Sequence, residues 1–118
     1  MDAPLQVTQR ASELQNASVF DVSGDLVVTT VEGLEEALAP ALEEVGQKLI
    51  LDLGHLTHID TPGLAFLYRL ARRSVAAGGW LTLAALPARF VPLIEELRLD
   101  DELRFRDTVQ SALADLSR

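Results

Sequence analysis

The sequence contains no cysteine among its 118 residues. This absence excludes disulfide bonds, thiolate metal sites, thiol nucleophiles and iron–sulfur clusters. The chain also lacks any apolar run close to the roughly 20 residues that a membrane-spanning helix needs. The polar residues 1–10 do not follow the basic and then apolar order of a signal peptide. We therefore expect a cytoplasmic protein without membrane insertion.

Basic residues are also few in this sequence. Ten Lys and Arg face eighteen Asp and Glu, which gives a formal net charge of −8. The resulting negative field opposes binding to nucleic acid or to an anionic membrane. With 48% hydrophobic residues, a chain of this length can bury one core but hardly two. The sequence therefore predicts one domain over residues 1–118 that makes no direct contact with nucleic acid.

Along the chain, segments with the apolar spacing of β-strands alternate with segments with the apolar spacing of α-helices. The strand candidates are 6–12, 19–22, 49–53, 80–84 and 103–105. The helix candidates, with their caps, are 29–46, 61–78, 87–97 and 107–116. The first two strands are close enough in sequence to run antiparallel. The alternation predicts an α/β fold with a central mixed, mostly parallel sheet of four to five strands flanked by about four helices.

The ends of the first helix are marked by individual residues. Thr29 is placed to cap its start because Glu32 follows three residues later, which is the spacing of a capping box. Gly46 suits the left-handed turn that ends a helix. Pro40 lies between them without an N–H group, so we expect it to kink or divide the helix.

The loop after the central strand is the best candidate site. In α/β sheets, ligands collect where the carboxyl ends of strands meet the amino ends of helices. This rule selects residues 54–64 and 23–29. Thr61 is predicted to be the N-cap of the second helix, and Pro62 suits the first helical position because its missing N–H costs nothing there.

Residues 49–64 read LILDLGHLTHIDTPGL. This run resembles the signature of STAS domains, in which an apolar strand ends in Asp-Leu and Asp-Ser-Ser/Thr-Gly-Leu later opens a helix. The Gly-Asp-Leu at 24–26 resembles the family's earlier Gly-Glu-Leu-Asp turn, from which Val27 departs. The resemblance is strongest over residues 18–116. It implies a STAS-like single domain.

The resemblance is to anti-sigma factor antagonists of this family. In such antagonists the first hydroxyl residue of the signature is phosphorylated by a partner that is both an anti-sigma factor and a serine/threonine kinase of the GHKL type. The unmodified antagonist binds this partner, and phosphorylation ends the interaction. The resemblance implies that Thr61 is the phosphoacceptor, although Pro62 replaces the second hydroxyl residue. The implied partner-binding residues are Asp25, His58, Asp60, Thr61, Pro62, Gly63 and Leu64.

Two other functions compete with this interpretation. The same residues resemble the STAS subunit of bacterial phospholipid-trafficking ABC transporters, where the threonine contacts the ATPase and need not be phosphorylated. The chain continues through residues 105–116, beyond the usual end of that subunit, which favours the antagonist. A purely structural or dimerising domain, such as a homodimer, would make no use of the Thr61 hydroxyl at all.

Enzymatic functions find little support. Asp52 follows a strand as in a receiver domain, but the late lysine is missing because Lys48 is the only lysine. His55, His58 and Asp60 have nitrogen and oxygen donors for a metal, but they lie in one loop with irregular spacing. No glycine-rich phosphate loop or nucleophile elbow occurs. We therefore expect no enzyme, metal or cofactor, and a structural role for Asp52 in the turn that follows it.

Overall fold

The computed structural model describes residues 3–10, 16–99 and 103–116. Within these residues lie five β-strands: β1 (Gln6–Arg10), β2 (Ala17–Leu26), β3 (Lys48–Ile59), β4 (Trp80–Ala84) and β5 (Arg104–Arg106). The same residues contain four α-helices: α1 (Val31–Leu42), α2 (Thr61–Ala76), α3 (Val91–Glu96) and α4 (Val109–Leu116). A 3₁₀ turn, Ala88–Phe90, leads directly into α3.

The strands form one sheet in the order β1-β2-β3-β4-β5. β1 runs antiparallel to β2, and the other pairings are parallel. Each parallel connection passes through a helix, because α1, α2 and α3 follow β2, β3 and β4 in turn. The predicted α/β class, with its mixed, mostly parallel sheet and antiparallel start, is confirmed.

Both faces of the sheet are covered, as the nearly continuous apolar sequence of the central strand predicts. Leu49 packs in the larger core cluster together with residues of α1, α2 and α3. Ile50, whose side chain points to the opposite face, packs in a smaller cluster with Ala112 of α4. Three helices therefore cover one face and α4 covers the other. The starts of α1 and α2 come together at the carboxyl ends of β2 and β3.

β2 and β3 are longer than the sequence predicts. β3 continues past Leu53 to Ile59 and so includes most of the predicted loop. This second half leaves β4 and pairs only with β2, in a ladder with two register shifts. Such bulges change which side chains are buried, so the regular alternation that reveals a strand in sequence is lost.

The predicted boundaries of α1 are corrected by the structure. Its N-cap is Thr30 rather than Thr29, and the helix ends at Leu42, earlier than predicted. Pro40 lies inside the last turn and does not divide the helix. Both Pro40 and Glu36, whose carbonyl loses its N–H partner, are exposed, so water can take the place of the missing hydrogen bond.

Candidate partner-binding site

The start of α2 is capped by Asp60, and not by Thr61 as the sequence predicts. Asp60 has an extended backbone with φ −107° and ψ 177°, and its Oδ1 accepts a hydrogen bond from the Gly63 amide at 2.7 Å. Thr61 is therefore the first residue of the helix, followed by Pro62. An Asp cap stabilises a helix by about 1 kcal/mol and complements its dipole. The cap thus makes no use of the threonine hydroxyl.

Thr61 is exposed to solvent, as is Pro62 beside it. Within the described part of the chain, the Thr61 hydroxyl makes no hydrogen bond. The free N–H groups of the first helical turn favour negative charge nearby. The hydroxyl can therefore be contacted or modified without the loss of a contact inside the domain.

Gly63 and Leu64 lie beneath this surface. A Cβ atom on Gly63 would lie 2.2 Å from the carbonyl oxygen of Leu26, so only glycine allows α2 to approach the end of β2 so closely. Leu64 is 1% exposed and belongs to the larger core cluster. Of the signature residues, these two position the helix, and they present almost no area to a partner.

Asp60 also joins α2 to the loop before α1. Its Oδ2 accepts a hydrogen bond from the Val28 amide at 3.1 Å. Thr30 holds the same loop, because its hydroxyl donates to the Asp25 carbonyl at 2.8 Å and accepts from the Val27 amide at 2.9 Å. Hydrogen bonds therefore join two chain segments that are distant in sequence.

Val28 lies in the range 23–29 that the strand-end rule selects, but the sequence analysis does not name it as a partner-binding residue. It follows two buried residues of the same apolar run, yet its own side chain is 61% exposed. A third consecutive apolar residue at the end of a strand is the signal that points to it. We use the term Thr61 surface for the exposed residues Val28, Thr29, His58, Thr61 and Pro62.

Asp25 is buried, at 6% exposure, and both of its carboxylate oxygens are engaged. The Thr57 hydroxyl donates to Oδ1 at 2.5 Å, and the Ala3 amide donates to Oδ2 at 2.9 Å. The hydrogen bond from Thr57 lowers the pKa of Asp25, and the Ala3 amide and the charge of His58 act in the same direction. The carboxylate therefore ties the N-terminal segment to β3 and supports the Thr61 surface from below.

The three candidate metal ligands do not converge. His55 and His58 are exposed on β3, whereas the carboxylate of Asp60 is occupied by the amides of Gly63 and Val28. In the described ranges, no group of three or more His, Asp or Glu side chains is arranged around a common point. These residues therefore do not assemble a metal site.

The predicted structural role of Asp52 is confirmed by its contacts. Its Oδ1 accepts a hydrogen bond from the Gly54 amide at 3.0 Å, as predicted, although Gly54 lies within β3 and not in a turn. Arg10 contacts both Asp52 and Asp21, with 2.6 Å between its Nη2 and Oδ1 of Asp21. The hydrogen bond from Arg10 lowers the pKa of Asp21. The cluster links β1, β2 and β3.

Arg89 is a second residue that the sequence analysis missed. From the 3₁₀ turn, its Nη2 donates to the carbonyl of Leu56 at 2.6 Å, on the part of β3 that no longer pairs with β4. The guanidinium also lies 4.5 Å from the centroid of the Phe90 ring. Arg89 thus satisfies a backbone acceptor in the strand that leads to Asp60 and Thr61.

Comparison with known proteins agrees with this architecture. The sequence model of the STAS domain family matches residues 8–112. The chain belongs to the STAS domain family. The matched range of this STAS domain runs from β1 into α4 and includes the whole Thr61 surface. A search of curated proteins finds no match.

Several solved structures share the fold. An anti-sigma factor antagonist from Mycobacterium paratuberculosis has a TM-score of 0.79 at 21% identity, over 96% of both chains. The anti-sigma factor antagonist SpoIIAA, in its unphosphorylated form, has a TM-score of 0.74 at 16% identity, also over 96% of both chains. The murine solute carrier 26 family member A9 anion transporter has a TM-score of 0.76 at 18% identity, over 89% of this chain and 18% of the transporter. At these identities the likeness establishes the fold alone.

The STAS fold therefore occurs both in small antagonists and within a transporter. In the part of this chain that the structure describes, none of the helices is long and apolar enough to cross a membrane. Thr61 lies within the matched range, is exposed, and its hydroxyl makes no hydrogen bond among the described residues.

Proposed function

We propose that this STAS domain is an anti-sigma factor antagonist that binds an anti-sigma factor through the Thr61 surface. The partner is also a serine/threonine kinase of the GHKL type, and it transfers the γ-phosphoryl group of ATP to the Thr61 oxygen. ADP leaves, and the hydroxyl proton passes to a base of the kinase and from there to solvent. Phosphorylation ends the interaction, so the chain regulates transcription in the cytoplasm through the availability of a sigma factor. The supporting observation is the exposed Thr61 hydroxyl, which capping leaves free.

The domain itself tolerates this modification. Neither hydrogen bond of the Asp60 carboxylate involves Thr61, so both persist when Thr61 carries a phosphate. The phosphate adds roughly −1.5 to −2 charges. It stands at the positive end of the α2 dipole, which offsets part of the repulsion from Asp60. We expect an intact fold with a changed surface.

The same phosphate strongly disfavours a partner docked on the Thr61 surface. Pro62 follows Thr61, and Val28 is joined to Asp60 through its amide; both offer exposed apolar area, and a partner that packs on them removes water from Thr61. A phosphate there adds bulk and a charge of the same sign as Asp60. A penalty on the order of 3 kcal/mol lowers affinity more than a hundredfold, and a like-charge contact in a partly desolvated interface can supply it.

The test compares wild-type protein with Thr61→Glu as immobilised baits in cell extract, followed by mass spectrometry and titration of the purified partner. We expect the wild-type protein to retain a kinase that acts as an anti-sigma factor, and Thr61→Glu to bind it more than a hundredfold more weakly. Thr8→Glu introduces the same charge at an exposed position of β1 and should bind like the wild type. Equal affinity for Thr61→Glu and wild type would contradict the switch.

A second measurement tests the covalent step. Incubation with the purified partner and ATP should add one phosphate to the wild-type protein at Thr61 and none to Thr61→Val. The alternative is the STAS subunit of a phospholipid-trafficking ABC transporter, which the resemblance of residues 60–65 to that subunit leaves open. If the bait retains a transporter ATPase and no kinase, and Thr61 stays unmodified, that alternative replaces the proposal.

A further inference from the structure

A small cavity of about 360 Å³ opens at the carboxyl ends of β4 and β5. We call it the Phe105 cavity, and its lining residues are Ala85, Leu86, Val91, Phe105, Arg106 and Asp107. Ala85 and Asp107 each follow directly after the last residue of a strand. The cavity contains no residue of the Thr61 surface. Its volume is within the range of small-molecule sites.

The Phe105 cavity lies where the chain changes from one face of the sheet to the other. From β4 the chain continues into the 3₁₀ turn and α3, whose Phe90 and Ile94 pack in the larger core cluster. From β5 it continues into α4, whose Ala112 packs in the smaller cluster on the opposite face. Neighbouring parallel strands whose connections leave toward opposite faces open a crevice, and ligands of α/β sheets bind in such crevices. Among the described strands, β4 and β5 are the only parallel neighbours with this arrangement.

The backbone at the end of β4 adopts an uncommon conformation. Ala85 has a φ of 59°, in the left-handed region that residues with a Cβ atom rarely adopt. Its amide donates to the Arg106 carbonyl at 3.0 Å, which holds the turn against β5. Such a conformation persists only where the surrounding structure imposes it, and it occurs preferentially at binding sites. The fold therefore holds the entrance of the cavity in place against local preference.

The apolar lining of the cavity lies on one side of the sheet. Leu86 and Phe105 are partly buried and pack against the larger core cluster. Val91 is the first residue of α3, on the same face, and is 39% exposed. One ligand can therefore cover all three side chains from a single direction.

The charge that remains uncompensated at the cavity is negative. Arg106 alternates with Phe105 along β5 and so points toward α4, where its Nε lies 2.5 Å from Oδ2 of Asp115. Its Nη1 donates to the Phe105 carbonyl at 2.7 Å. The carboxylate of Asp107, one residue past the end of β5, has no ion pair or hydrogen bond within the described residues. The cavity therefore complements a ligand with an apolar body and a positive group.

We propose that the Phe105 cavity binds a small apolar ammonium ion, such as an arylalkylamine. The apolar body covers Leu86, Val91 and Phe105, and its ring packs on the ring of Phe105. The ammonium group lies at the mouth of the cavity and donates charge-assisted hydrogen bonds to the Asp107 carboxylate. The net charge of −8 attracts such a cation. Because no residue of the Thr61 surface takes part, binding does not depend on the state of Thr61.

The experiment titrates the full-length protein with phenethylamine at pH 7. Isothermal calorimetry measures the affinity, and amide NMR spectra of isotope-labelled protein locate the site. We expect saturable binding of one phenethylamine, at least tenfold tighter than phenethyl alcohol, with shifted amides at 85–86, 91 and 105–107. Phenylacetate lacks the positive charge and ammonium lacks the apolar body, so neither should bind measurably.

Matched variants locate the two halves of the site. Val91→Lys and Asp107→Asn should each weaken phenethylamine binding at least tenfold. Their controls lie outside the lining: Val75→Lys at a 65% exposed position of α2, and Glu36→Gln at an exposed position of α1. Both controls, and Thr61→Glu, should bind like the wild type. Circular dichroism checks that all variants are folded.

Three results would overturn the proposal. They are the absence of saturable binding, equal affinity for phenethylamine and phenylacetate, and equal weakening by each variant and its matched control. If the amides of the cavity shifted with a purified protein partner but not with phenethylamine, the cavity would instead belong to a protein interface.

Discussion

The two ends of the sheet differ in how their polar groups are used. At the Thr61 surface, the carboxylates of Asp25 and Asp60 are consumed by internal hydrogen bonds, and the Thr61 hydroxyl remains free. At the opposite end of the sheet, the Lys48 and Arg104 cations lie over the ring of Trp80, and the indole Nε1 is buried without an acceptor among the described residues. At one end the polar groups are thus satisfied by hydrogen bonds that leave one hydroxyl over, and at the other the cations are held against an aromatic ring.

Among changes near the Thr61 surface, Gly63→Ala should have the largest effect on stability. The added Cβ would lie 2.2 Å from the Leu26 carbonyl oxygen, so α2 must move away from β2. We expect a loss of about 3 kcal/mol in the free energy of unfolding, measured by urea denaturation. Gly33→Ala is the matched control, because no atom lies within 4 Å of its added Cβ, and it should stabilise the protein by roughly 0.5–1 kcal/mol. Similar values for both variants would contradict the close approach.

Asp60→Ala should have the next largest effect. It removes the cap of α2 and the acceptor for the Val28 amide, which together are worth about 2 kcal/mol. Asp60→Asn keeps a capping oxygen but cannot accept at both positions, so about half of that loss is expected. Denaturation midpoints and amide exchange at 27–30 measure both effects. If Asp60→Asn lost as much stability as Asp60→Ala, the link to Val28 would carry most of the effect, and the cap little.

Asp25 should contribute more than exposed carboxylates do to the loss of folding stability at low pH. Its pKa is lowered in the folded protein, mainly by the Thr57 hydroxyl, so its contribution is fully present above the unfolded pKa of about 3.9 and is lost as pH falls through the folded value. Asp25→Asn should therefore lose less stability than the wild type between about pH 5 and pH 2. Glu96→Gln, at an exposed position of α3, is the control and should follow the wild-type curve. If the free energy of unfolding fell equally with pH in Asp25→Asn and wild type, the Asp25 carboxylate would not be the group that stabilises the folded state above its pKa.

Arg89→Ala should give the smallest change. Its side chain is exposed, so loss of the hydrogen bond to Leu56 should cost about 1 kcal/mol. Amide exchange should accelerate at 56–59, while the fluorescence of Trp80 at the other end should not change. Arg98→Ala, also exposed, serves as the control and should leave exchange at 56–59 unaltered. Unchanged exchange in Arg89→Ala would remove Arg89 from the support of the Thr61 surface.

Much of the fold could be predicted because its signals are local. The apolar run at Leu49–Leu53 reports burial on both faces, and the helical spacing of α2 reports its buried stripe. The prediction failed at 54–59, where pairing with β2 alone and two register shifts replace the regular period. It also failed at Thr61, since the local pattern Asp-Thr-Pro suits a cap at either of its first two residues.

The order of elements, the α/β class and the position of Thr61 beside a helix start were determined by the sequence itself, because periodicity and turn chemistry depend on near neighbours. Tertiary structure alone decided that Asp60 caps α2, that Val28 is exposed beside it, and that Lys48 and Arg104 meet at Trp80. These outcomes depend on contacts between segments that are distant in the chain. The energy of such contacts is set by strand register and close approach, which no local pattern encodes.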